Sequence, residues 1–115
     1  MIQRLIALGL LVLMLVALFF GGAQPQAVNL VPAPWDKLAH IAFFFMLTVL
    51  LIRYLSLSVV FGICLVLVVG VADEVHQTFL PGRMADWDDW LADLVGTALG
   101  WSISVSKRER KLCQF

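Results

Sequence analysis

Apolar residues fall into four long runs, at about residues 5–20, 38–52, 55–75 and 87–105, with short polar stretches between them. A helix needs about 20 residues to cross the hydrocarbon core of a membrane. The second and fourth runs reach that length only if their polar outer turns belong to the helix. The link "GGAQPQAVNLVPAPWD" joins the first run to the second, and "RYLS" is the tight turn from the second to the third. "LPGR" turns the third into the fourth, because Pro81-Gly82 stops a helix and suits a turn. Short connections make sequential neighbours antiparallel. The pattern predicts an all-α, polytopic membrane protein: a four-transmembrane-helix bundle in a single transmembrane domain over residues 1–115.

Composition removes the soluble alternative. Hydrophobic residues make up 62% of the 115, charged residues 14%, and the mean hydropathy is +0.96. The charged share is about half that of a soluble domain. So much apolar surface needs lipid as its solvent. The formal net charge of zero speaks against a nucleic-acid partner and against a polybasic membrane-surface role. Cys64 lies in an apolar run and Cys113 in the basic tail, and both read as reduced thiols, Cys64 in the core.

Charge also orients the bundle. With four spans, Arg4, Arg53, Lys107, Arg108, Arg110 and Lys111 share one side, and only Lys37 and Arg83 lie on the other. The positive-inside rule then puts the N and C termini in the cytoplasm. Asp36, Asp73, Glu74, Asp86, Asp88, Asp89 and Asp93 gather at the outer ends with His40 and His76, leaving only Glu109 inside. A competing reading concerns the first run. Gly21 and Ala23 have the small-x-small spacing of a signal-peptide cleavage site, which would leave three spans. The run exceeds the usual signal-peptide length, so retention is expected.

On a helical wheel of the fourth run, Asp86, Asp89, Asp93, Gly96 and Gly100 share one narrow face, and Ser104 falls on it too. Ala92, Gly96, Gly100 and Ser104 form a small-x-x-x-small stripe, which lets another helix backbone approach. The acids on that face should therefore meet a neighbouring helix. On the third run Asp73, His76 and Gln77 share a side, with Glu74 about 100° away. Asp36 and His40 are four apart on the second. These groups predict one shared polar cavity at the outer face, with Trp35, Trp87 and Trp90 marking the interface around it.

Plain structural roles compete at several positions. Asp36, Asp86 and Asp88 suit helix N-capping, and Arg83 suits neutralising Asp86 or Asp89. Capping does not account for His40 or Asp93 inside their helices, and accounts poorly for Glu74 and Gln77 at a helix C-terminus. Those four, with Arg83 and Asp89, are the functional candidates. His76 beside Asp73 has the spacing of an oriented general base. The histidines come from different runs without metal-type spacing, so no metal and no cofactor is expected.

In order, "DKLAH", "DEVHQTFLPGR" and "DWLADLVGTALG" resemble the VanZ-like family of small bacterial membrane proteins, over about residues 36–100. The resemblance points to Asp36, Lys37, His40, Glu74, Gln77, Arg83, Asp89, Asp93, Gly96 and Gly100. The family commonly has Asn where this chain has Asp93. The family's namesake confers low-level teicoplanin resistance, so the resemblance implies a multi-pass protein of the bacterial cytoplasmic membrane with a cell-envelope role. Resistance itself is not carried over as this chain's physiological role.

Two functional expectations follow. In the first, Arg83, Gln77, Lys37 and Asp36 bind an anionic membrane lipid or lipid-linked envelope molecule, and Glu74, Asp89, Asp93 and His40 set its proton state or modify it. In the second, the protein is a non-enzymatic assembly or interaction protein, monomeric or oligomeric, and the polar cluster is structural. A proton pathway fits less well, because no ionisable group lies in the inner half of any span save the flanking basic residues.

Overall fold

The computed structural model describes residues 1–112, with side chains to Ser106. Four α-helices account for most of it: α1 (Ile2–Val16), α2 (Trp35–Val49), α3 (Val59–Thr78) and α4 (Trp87–Leu112). Single π turns extend α1 over Ala17–Gly21 and α2 over Leu50–Tyr54, and a short 3-10 turn, Pro25–Ala27, interrupts the α1–α2 link. The described residues contain no strand.

Among the described residues, three helices are long and apolar enough to cross a membrane: Ile2–Gly21, Trp35–Tyr54 and Val59–Thr78. At 1.5 Å per residue each 20-residue span is about 30 Å long, the thickness of a bilayer's hydrocarbon core. The second does include its polar first turn, Trp35-Asp36-Lys37. The fourth helix falls short on composition, because Asp88, Asp89 and Asp93 occupy its start and Gly, Ser and Thr dilute its middle.

Packing is inverted relative to a soluble bundle. The buried face of α3 is Gly62, Val66, Gly70, Asp73 and Gln77, a stripe of small and polar residues at helical spacing. That of α4 is Asp89, Ala92, Asp93, Gly96, Thr97, Gly100 and Ser104. Bulky apolar residues such as Val68, Val75, Leu91, Val95 and Leu99 point outward instead. Small residues inside and large aliphatics outside is the arrangement lipid favours, where burial of apolar side chains drives nothing and close backbone packing does. The apolar core is small: Phe44, Leu47, Leu51 and Val66, with Leu11, Met14 and Leu65 among those packed around it.

The closest helix pair is α2 with α4. A Cβ on Gly96 would strike the carbonyl oxygen of Ile41 and stand 3.0 Å from Phe45 N; one on Gly100 would stand 2.8 Å from Phe45 O. Contacts therefore climb both helices together, so α2 and α4 run parallel, with α1 and α3 antiparallel to them. Buried hydroxyls in this seam are satisfied within their own helices: Thr48 donates to Phe44 O, Thr97 to Asp93 O and Ser104 to Gly100 O.

The turns differ in detail from expectation. The α2–α3 turn lies at residues 55–58 rather than at "RYLS", because α2 runs on through its π turn. Ser58 then caps α3 by accepting from Phe61 N–H at 3.3 Å. In "LPGR", Arg83 N–H donates to Leu80 O at 3.2 Å and Gly82 has φ +75, as a Pro-Gly turn with left-handed third residue requires. Cys64 sits on the exposed face of α3, not in the core. Cys113 lies outside the described residues.

Candidate functional site

The polar groups do converge at one end of the bundle, but in separate constellations rather than one shared cavity. The first is a clamp around Lys37. Its Nζ meets Asp36 Oδ2 at 3.4 Å, Asp86 Oδ2 at 3.0 Å and Asp89 Oδ1 in close contact. Lys37 thus takes the neutralising role that the sequence offered to Arg83. It ties the N-terminal ends of α2 and α4 together, which their parallel course makes possible.

The helix starts are only partly as expected. Asp86 caps α4, its Oδ1 accepting from Asp88 N–H at 3.0 Å. Asp36 does not cap α2: the cap position is Pro34, without a side-chain bond, and Asp36 Oδ1 accepts from the next residue's N–H. Asp88 is exposed.

One turn deeper, His40 Nδ1 lies 2.7 Å from Asp93 Oδ1, and Nε2 stands 3.8 Å from Asp89 Oδ2, beyond hydrogen-bond length. Asp93 is 3% exposed. Its second oxygen, Oδ2, is buried without a partner among the described residues, close against Gly70 of α3. A side chain at 70 would intrude on this carboxylate.

On α3, Gln77 Nε2 donates to Asp73 Oδ2 at 3.1 Å. Glu74 points elsewhere, as its 100° offset dictates. Its Oε2 accepts from Asp86 N–H at 3.0 Å, which latches the end of α3 to the start of α4. Glu74 lines a separate cleft of about 410 Å³ with Val71, Asp86, Trp87 and Trp90, the two indoles packed edge to face at 5.9 Å.

A small cavity of about 80 Å³ lies between α1, α2, α3 and the α3–α4 turn, lined by Leu18, Gly22, His40, Asp73, His76, Gln77, Leu80 and Arg83. One Arg83 nitrogen donates to Gly22 O at 3.2 Å, while Arg83 Nε and His76 Nδ1 are buried without partners among the described residues. Phe19 packs edge-on to the His76 ring, with centroids 5.5 Å apart. The C-terminal end of α1 therefore closes the cavity, a part that sequence reading assigned to no element of the site. Its only signal was Gly21-Gly22 ahead of the link. His76 also moves: it faces the cavity and the α1 end, not a hydrogen bond with Asp73. Among the described residues, no three His, Cys, Asp or Glu side chains are arranged to hold a metal ion.

Compared with known protein families, residues 5–108 match the VanZ/LLP1 family, and the chain belongs to it. No curated protein and no solved structure matches.

Proposed function

We propose that this membrane protein of the VanZ/LLP1 family binds an anionic molecule of the bacterial cell envelope, a lipid or lipid-linked precursor, at the polar end of its bundle. One observation carries the reading: Arg83 Nε and His76 Nδ1, both buried and unpartnered, belong to walls of the same cavity. Buried polar groups are nearly always hydrogen-bonded, and a guanidinium fork matches the oxygens of phosphate or carboxylate. The bond to Gly22 O holds that fork in place. Lys37 is a poorer anion holder than expected, since three carboxylates already surround it.

In this reading α4 is the fourth span, its outward Leu91, Val95 and Leu99 facing lipid. The termini are cytoplasmic, and the cavity opens at the outer leaflet. His40, fixed by Asp93 through Nδ1, has the geometry of an oriented proton acceptor beside the bound group, so modification as well as binding is chemically open to the site.

The assembly reading has two observations in its favour. The Lys37 clamp and the Gly96–Ile41 contact are plain helix-joining devices. The two readings part on Arg83→Gln. Binding predicts a variant that accumulates and melts like wild type yet fails to restore the envelope phenotype of a deletion strain. Full complementation by Arg83→Gln would rule binding out, and loss of the folded protein would favour assembly.

A further inference from the structure

We infer that the ligand is a phosphate monoester carried directly on a long apolar chain, with its phosphoryl group in the Arg83–His76 cavity and its chain in the apolar cleft beside it. This rests on the proposed reading of the polar end as an anion site and specifies the anion.

Size comes first. A cavity of about 80 Å³ corresponds to roughly two or three waters at about 30 Å³ each. That admits a phosphoryl or carboxyl group and excludes a sugar ring or glycerol headgroup. Continuity comes second. Leu18, Gly22 and His40 also line a cleft of about 230 Å³ whose other walls are Ala17, Ala39, Phe43 and Phe44. Phe43 and Phe44 lie one turn beyond His40 along α2, toward the middle of the bundle. A polar chamber one anion wide therefore adjoins an apolar chamber deeper in the membrane. An amphiphile whose phosphate is its outermost group fits both. A phosphodiester carries a second substituent, which the chamber is too small to hold beside the phosphoryl group.

Donors favour phosphate over carboxylate. Arg83 and His76 line the cavity from two elements, the turn and α3, and a phosphoryl group, with more acceptor oxygens than a carboxylate, suits partners on more than one wall. Asp73 opposes the anion. Its Oδ2 is engaged by Gln77, which softens the repulsion without removing it. Replacing Asp73 by Asn should therefore tighten binding, the reverse of what a cation site would do.

The full chain in neutral detergent micelles can be titrated with dodecyl phosphate, methyl dodecyl phosphate, dodecanoate and phosphatidylglycerol, reading the thermal midpoint, which rises with any ligand that binds the folded state. Dodecyl phosphate should act at a concentration at least ten-fold lower than the methyl diester or the carboxylate. Arg83→Gln should lose at least ten-fold, and Asp73→Asn should gain several-fold. Equal action of monoester, diester and carboxylate overturns the inference, as does an unchanged or weakened response in Asp73→Asn, which decides the matter if Arg83→Gln does not fold. Arg83-dependent binding of phosphatidylglycerol without monoester preference sinks this inference and keeps the anionic-lipid reading. Absence of Arg83-dependent binding by every amphiphile sinks both.

Discussion

His40 and Asp93 are 53 residues apart in sequence, and their side chains meet at 2.7 Å across the α2–α4 seam. Each removes the other's need for water at a depth where little is available. A buried group stripped of its partner costs about 1–3 kcal/mol. Asp93→Leu should therefore destabilise the bundle by that amount in detergent unfolding. Asp93→Asn keeps an acceptor for His40 and removes a buried charge, so it should fold at least as stably as wild type. A strongly destabilised Asp93→Asn would mean that the charge itself holds His40.

Gly96 offers a sharper steric test. A Cβ there meets backbone atoms of Ile41 and Phe45, which cannot rotate away. Overpacking typically costs about 1–3 kcal/mol, so Gly96→Ala should lower the thermal midpoint clearly. Gly9→Ala should be neutral, since nothing lies within 4 Å of its added Cβ. Equal effects at both positions would show that α2 and α4 do not approach as described.

Lys37 should be coupled unequally to its carboxylates. Asp86 is half exposed and Asp89 largely buried, with side-chain exposures of 49% and 13%. Exposed ion pairs contribute about 0–1 kcal/mol, and coupled buried neighbours about 0.5–3 kcal/mol. A double-mutant cycle of Lys37→Gln with Asp89→Asn should give the larger coupling energy, and one with Asp86→Asn less than about 1 kcal/mol.

Asp86 should also mark the acid limb of stability. The N–H of Asp88 and the Lys37 ammonium hold its carboxyl below the usual carboxylate range. A depressed folded pKa stabilises the protein above the unfolded value and loses that contribution as pH falls through the folded one. Wild type should therefore lose stability more steeply than Asp86→Asn on acidification below about pH 4. Parallel curves would show that the cap and the Lys37 contact do not bias this titration.

Much of this was legible along the chain. Of the α4 face that follows from 100° per residue, Asp89, Asp93, Gly96, Gly100 and Ser104 are buried, while Asp86, which precedes the helix as its cap, is exposed. The Pro81-Gly82 turn follows from its own backbone chemistry. A comparable signal on α3, Gly62-x-x-x-Val66-x-x-x-Gly70 leading to Asp73, was present and not read, because a single glycine every eight residues does not stand out in an apolar run.

Helical periodicity, apolar length and turn residues act within a few positions, so the sequence alone determined which segments are helices, which faces are small and polar, and that these faces gather at one end. Partners lie tens of residues away and depend on how helices dock. Parallel packing of α2 on α4 brings Lys37, not Arg83, to Asp86 and Asp89. The Pro-Gly turn sends Arg83 back over α1, where Gly22 O receives it. Only the tertiary structure could put the end of α1 against His76, because no local periodicity encodes which helix closes a cavity.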